Sequence, residues 1–180
     1  MAVAACGGGT KTSAIPSEDA PAGSATTTAE TTTEEASSPK PSPPTAAIKA
    51  LAAKVSDNPK KRPKIPKPSG KPPKKLMVVD LKTGTGPAAK AGDQLTMDYS
   101  GTSWSTGKEF DSSWKSGQPF PLQLGAGSVI AGWENGIPGM KKGGRRMLVI
   151  PPDQGYGEQG SGGIKPNETL IFVVDLRKLG

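Results

Sequence analysis

The sequence predicts an α+β fold, an antiparallel β-sheet of five to six strands curled around one short α-helix. Two observations carry that expectation. Between Leu76 and Gly180, apolar side chains recur at every second position in several short runs separated by Gly and Pro clusters, the pattern of half-buried strands in a turn-rich sheet. Only one stretch in that region has helical spacing, and a lone short helix among several strands buries its apolar side best inside the curl of a single sheet.

The elements follow in chain order. Leu76 to Leu81 is a mostly apolar run of strand length. Leu95, Met97 and Tyr99 alternate with Gln94, Thr96 and Asp98, and Phe110 lies in a further short extended piece. Phe120, Leu122 and Leu124 alternate with Pro121 and Gln123. Ile130, Trp133 and Ile137 then fall at i, i+3 and i+7 behind Ser128, a residue type favoured at helix N-caps, while Gly136 and Pro138 end the helix after about two turns. Lys141 to Arg146 reads as a solvated turn, overlapping a short apolar strand from Arg145 to Ile150. Leu170, Phe172, Val174 and Leu176 restore the two-residue period near the C-terminus.

The chain divides sharply by composition. Residues 1–75 hold no aromatic side chain and are dominated by Pro, Thr, Ser, Ala, Gly and Lys, so they bring too little apolar surface of their own to offset the entropy lost on folding. They read as a disordered tether, and residues 76–180 as one folded domain of ordinary size. Within the tether, Ile48, Leu51 and Val55 fall at helical spacing, but a helix that short is marginal in isolation.

The net charge of +7 is concentrated in one place: residues 58–75 carry eight positive side chains and no negative one. The folded part is therefore close to neutral, which excludes strong electrostatics as its driving chemistry. The basic run could meet anionic lipid or nucleic acid non-specifically. Prolines interrupt it, however, and no aromatic side chain is interleaved to stack on bases, so it reads as a solvated linker with no specific nucleic-acid partner. A single cysteine and no histidine exclude an internal disulfide and the usual zinc ligands, and no cofactor is expected. No apolar run approaches the roughly 18 residues of a spanning helix. Val3-Ala4-Ala5-Cys6 before three glycines resembles the end of a bacterial lipoprotein signal, although the residues ahead of Cys6 are too few for its apolar core. The expectation is a start upstream, lipid attachment at Cys6, and a location outside the cytoplasm, at the bacterial membrane or secreted.

All the aromatic residues lie between Tyr99 and Phe172. Tyr99, Phe110-Asp111, Phe120, Val129-Ile130-Ala131-Gly132-Trp133 and Tyr156-Gly157 form a frame of rings and aliphatic side chains with few charges. That suits a reaction needing an apolar wall rather than a proton shuttle. By spacing alone, Tyr99, Phe110, Trp133 and Phe172 read equally well as ordinary core. Asp111 reads as a turn cap before two serines, and Tyr156 as a surface residue of a Gly-rich loop.

Over residues 76–180 the chain resembles the FKBP-type peptidyl-prolyl isomerases. The resemblance is carried by Phe110-Asp111-Ser112-Ser113, Val129 to Glu134, Gly144-Arg145-Arg146, Pro152-Asp153 with Tyr156-Gly157, and Ile164 to Leu170. It implies isomerisation of Xaa-Pro bonds in a pocket that also takes macrolides such as tacrolimus and rapamycin. Trp133 is then the floor; Tyr99, Phe110, Phe120 and Phe172 are walls, Val129 and Ile130 the rim, and Ile164 closes the cavity. Asp111, held by Tyr99, acts with the Ile130 N–H and the Tyr156 hydroxyl on the substrate. Implied partners are Xaa-Pro segments of unfolded or secreted proteins, met by a monomer. A catalytically weak module that binds proline peptides or a partner protein is the alternative. Gln154, where better-studied members often carry an aromatic residue, and the short segment Gly160-Ser161-Gly162-Gly163 set its rim apart.

Overall fold

The computed structural model describes residues 40–180. In chain order its elements are α1 (Ala46–Ala52), β1 (Met77–Lys82), β2 (Thr85–Ala88), β3 (Gln94–Ser103), β4 (Glu109–Ser112), α2 (Ser113–Ser116), β5 (Phe120–Gln123), α3 (Ala131–Gly136), β6 (Lys141–Lys142), β7 (Arg145–Ile150) and β8 (Leu170–Leu179). Six strands make one antiparallel sheet in the order β1-β7-β8-β3-β4, with β5 also paired to β3; β2 and β6 form a separate two-stranded ribbon. This is the α+β architecture that the alternating runs predict.

Successive side chains of a strand point to opposite faces, and here both faces are apolar. Leu95 and Met97 of β3, Leu148 and Ile150 of β7, and Leu170, Phe172, Val174 and Leu176 of β8 pack on the inner face against Trp133 and Ile137. On the outer face Met77, Met147, Val149, Ile171 and Val173 form a second apolar layer. The two central strands thus need cover in front and behind.

The rear cover is the segment expected to be a free tether. Residues 40–75 lie on the outer face, with Ile48, Leu51, Ala52 and Val55 buried against Met147, Val149, Ile171 and Val173. The expected boundary at residue 76 is therefore too late for residues 40–75; residues 1–39, with Cys6, lie outside the described residues. The physical reason is that α1 does not stand alone. Its apolar stripe is too small to hold a helix by itself but matches an apolar sheet face, and Thr45 caps its start by accepting the Ile48 N–H at 3.4 Å.

Two consecutive arginines of β7 fasten both layers. Arg145 is wholly buried and forms a two-pronged pair with Asp175 of β8, Nε to Oδ1 at 2.6 Å and Nη2 to Oδ2 at 2.7 Å. Its remaining donors reach the carbonyls of Ser56 and Lys61, each at 2.8 Å. Burial pushes the Asp175 carboxyl up from its usual range, against the pull of Arg145. Arg146 points the other way, pairing with Asp80 at 2.6 Å and donating to the carbonyls of Gly136 at 2.8 Å and Pro138 at 3.0 Å. The solvated-turn expectation thus fits Lys141 and Lys142, which are exposed, but not Arg145 or Arg146.

If residues 46–55 are structural, Leu51→Ala in the full chain lowers unfolding stability by about 2 kcal/mol, at the lower end for buried leucines because the helix lies at the rim of the core. Urea denaturation measures it; an unchanged midpoint would mean that the segment is free.

Candidate active site

A cavity of about 460 Å³ opens beside the N-terminal end of α3, lined by Tyr99, Phe110, Asp111, Phe120, Gly127, Ser128, Val129, Ile130, Trp133, Tyr156 and Phe172. Four strands, the helix α3 that carries Trp133, and two loops bring these together. Tyr99 comes from β3, Phe110 and Asp111 from β4, Phe120 from β5 and Phe172 from β8. Gly127 to Ile130 lead into α3, and Tyr156 lies in the loop after β7.

Trp133 is the hub of the rings. Only 4% exposed, it is met edge-on by Phe172 at 5.3 Å, Tyr99 at 5.4 Å and Phe120 at 6.1 Å between centroids, the geometry preferred by aromatic quadrupoles. Phe110 stands edge-on to Phe172 at 5.5 Å. Two glycines permit this approach. A Cβ at Gly101 would come within 2.7 Å of both the Phe110 and Phe172 rings, and one at Gly132 would collide with Ile150, on which α3 rests.

Polar groups are few and oriented. The Tyr99 hydroxyl donates to Asp111 Oδ2 at 2.5 Å, and the Ser112 N–H donates to Oδ1 at 2.7 Å, so the carboxylate is fixed at the cavity wall. Burial, then the hydrogen bond to Asp111 and its charge, with a further contribution from Tyr156, push the Tyr99 phenol far above its ordinary range. Its stability contribution is complete below the unfolded tyrosine value near 10 and is lost as pH rises beyond it. Ile130 is extended (φ −60°, ψ 148°), and its carbonyl accepts from Trp133 at 2.9 Å and Glu134 at 3.3 Å. Its N–H makes no hydrogen bond among the described residues and is a free backbone donor at the rim.

The start of α3 differs from expectation. Its N-cap is Ile130, without a side-chain cap, rather than Ser128. Glu134 instead reaches back to accept the N–H groups of Gly125 at 2.6 Å and Gly127 at 3.0 Å. That turns the preceding loop so that Gly127 and Ser128 face the cavity, two lining residues that the spacing argument missed although they directly precede Val129. Ile164, expected to close the cavity, does not line it. It is 9% exposed and packs into the inner core, turned inward by the Ser161–Ile164 bridge of its loop. Phe120 and Tyr156, both lining the cavity, are the large exposed hydrophobic side chains among the described residues. The Gln154 side chain accepts from Asn135 at 3.3 Å, tying the Tyr156 loop to α3.

Residues 86–177 match the FKBP-type peptidyl-prolyl cis-trans isomerase family. The chain is 51% identical over 117 residues to an FK506-binding protein of Streptomyces anulatus, covering 64% of this chain and 94% of that protein. Among solved structures it is similar to FkpA from Escherichia coli, with 41% identity and a TM-score of 0.54 over 58% of this chain; the match spans about half of that one, 48%. It is likewise similar to AtFKBP13, with 35% identity and a TM-score of 0.55 over 61% of this chain and 96% of that one. The chain belongs to the FKBP-type peptidyl-prolyl cis-trans isomerases.

No histidine is present to change charge near neutrality, and Tyr99 is displaced upward, away from that window. The rate of Xaa-Pro isomerisation is therefore expected to vary less than about twofold between pH 6 and 8; a steep profile over that span in a peptide assay would contradict it.

Proposed function

We propose that the cavity turns Xaa-Pro bonds of unfolded or secreted proteins outside the cytoplasm, and that it takes macrolides of the tacrolimus and rapamycin kind. The observation that supports this reading is one arrangement: a ring-walled hollow with the Ile130 N–H left free at its rim and a single fixed carboxylate, that of Asp111, in its wall.

Rotation about an Xaa-Pro bond crosses a barrier of about 20 kcal/mol because the twisted amide loses resonance. The twisted form is less polar than the planar one, since its nitrogen keeps its lone pair. Walls made of Tyr99, Phe110, Trp133 and Phe172 exclude water and so favour the twisted form. A preference of roughly 5 kcal/mol would give nearly four decades of rate. In this reading the Ile130 N–H and the Tyr156 hydroxyl hold neighbouring carbonyls while the bond turns, which is positioning rather than proton transfer. Asp111, with both oxygens already accepting, presents a fixed negative edge to the turning carbonyl carbon.

The deciding experiment is a protease-coupled assay on a short Xaa-Pro peptide, with and without tacrolimus. Turnover inhibited by the macrolide is the expected result. Macrolide binding without turnover would instead support a proline-peptide binding module. Asp111→Val, which removes the acceptor for the Tyr99 hydroxyl, is expected to lower kcat/KM about tenfold, equivalent to about 1.4 kcal/mol, with the fold kept.

The location is proposed from Cys6 and the small residues before it. In this reading the cysteine is acylated and attaches the chain to the membrane. Mass spectrometry of the native protein tests this: a diacylglyceryl adduct on the cysteine is expected, and an unmodified thiol would sink the proposal.

A further inference from the structure

Residues 56–70 form a strap that reaches from the back of the sheet to the start of the edge strand β4. Its position along the sheet is fixed by Arg145, which holds the Ser56 and Lys61 carbonyls at 2.8 Å. The next residue, Arg62, therefore has a defined place. Its Nη2 donates to Glu109 Oε1 at 2.5 Å, where Lys115 Nζ also arrives at 3.0 Å. Ser100 Oγ donates to the other carboxylate oxygen at 2.7 Å. Further along, the Lys67 side chain lies under the β3–β4 turn, where a Cβ on Gly107 would come within 2.7 Å of it, and the Trp104 indole donates to the Gly70 carbonyl at 3.4 Å.

Glu109 directly precedes Phe110 and Asp111, both in the cavity wall. The strand that carries them, β4, is the edge of the sheet and pairs with β3 at only three positions, with an irregularity between Gly101 and Thr102. A short edge strand with an interrupted ladder is among the less firmly held parts of a sheet. An added tie at its first residue would limit how far the phenyl ring and the carboxylate wander.

We propose that the strap is a working part of the pocket and that Arg62 is a positioning residue, acting through Glu109 on the placement of Phe110 and Asp111. The family match begins at residue 86, so this brace comes from outside it. Arg62 keeps 46% of its side chain exposed, and a pair of that kind contributes modestly. Its loss leaves Glu109 with Lys115 and Ser100, so the domain remains folded while the edge strand loosens.

The test uses the full chain with Arg62→Ala, Arg62→Lys and, as a control for lost charge alone, Lys60→Ala. The rate readout rests on the isomerase reading above; amide NMR does not. Arg62→Ala is expected to lower kcat/KM about three- to fivefold and to move the amide resonances of Phe110, Asp111 and Ser112, with little change in the unfolding midpoint. Arg62→Lys recovers most of both, and Lys60→Ala matches the parent. High salt narrows the gap between the parent and Arg62→Ala, because exposed pairs are screened. If Arg62→Ala leaves those resonances in place, or if Lys60→Ala moves rate and resonances equally, the brace does not exist. A parent chain without isomerase activity would overturn the functional reading, while the NMR comparison would still decide the brace.

Discussion

A guanidinium buried without solvent holds the layers of this protein together. Removing a guanidinium such as that of Arg145 from water is favourable only when a counter-charge is present and its remaining donors are satisfied. Asp175 supplies the counter-charge from the neighbouring strand, and the Ser56 and Lys61 carbonyls take the other donors. The sheet and the strap behind it therefore complete one another, since neither carbonyl could be withdrawn without leaving a buried cation short of an acceptor. The pleat places Arg146 on the opposite side, where it grips the C-terminal end of α3 through Gly136 and Pro138. One dipeptide thus fixes the rear cover and the helix that carries Trp133.

From that frame the site follows by packing. Ile150 supports α3 at Gly132, Phe172 projects from the central strand, and Gly101 leaves room for Phe110 beside it. Tyr99, Phe110, Phe120, Trp133 and Phe172 each meet a neighbour edge-on, an arrangement with little freedom to collapse into the hollow because each of these rings is already held by another. The polar groups are similarly committed. Tyr99 is tied to Asp111, and Glu134 is tied to the loop that forms the opposite rim. The walls of such a pocket are already ordered by one another, and under the proposed function its energy of interaction goes into discriminating a twisted amide from a flat one rather than into ordering those walls.

Much of this was legible in the letters, and what was not has a definite cause. The alternation in β3, β5 and β8 gives the inner face directly; the aromatic frame holds eight of the lining residues, and the family resemblance adds Phe172 and the pocket roles that spacing alone leaves open. Ile164 was misplaced because a motif assigns a residue to a loop without saying which way its side chain turns. The N-cap was misassigned because Ser128 is a good capping residue, whereas the helix begins only at Ala131 and places Ile130 in the capping position. The rear cover had a signal that the two-residue period concealed. Ile171 and Val173 fill the alternate positions of β8, and Met147 and Val149 those of β7. Strands apolar on both faces require something on both faces.

The composition that suggested disorder also suits a strap. Counting the apolar side chains of residues 40–75 measures what that segment could bury against itself, which is little, but not what it could bury against an apolar sheet already formed. Proline helps there in two ways. It has no N–H to leave unpaired when a chain without regular secondary structure is pressed onto an apolar surface, and its restricted φ means that less freedom is lost on docking. Pro63 and Pro68 are buried accordingly, with Ile65 half-buried between them, while Lys60, Lys64 and Lys67 remain exposed. The same sequence that cannot fold alone is inexpensive to lay across a partner, and the sheet provides that partner within the same chain.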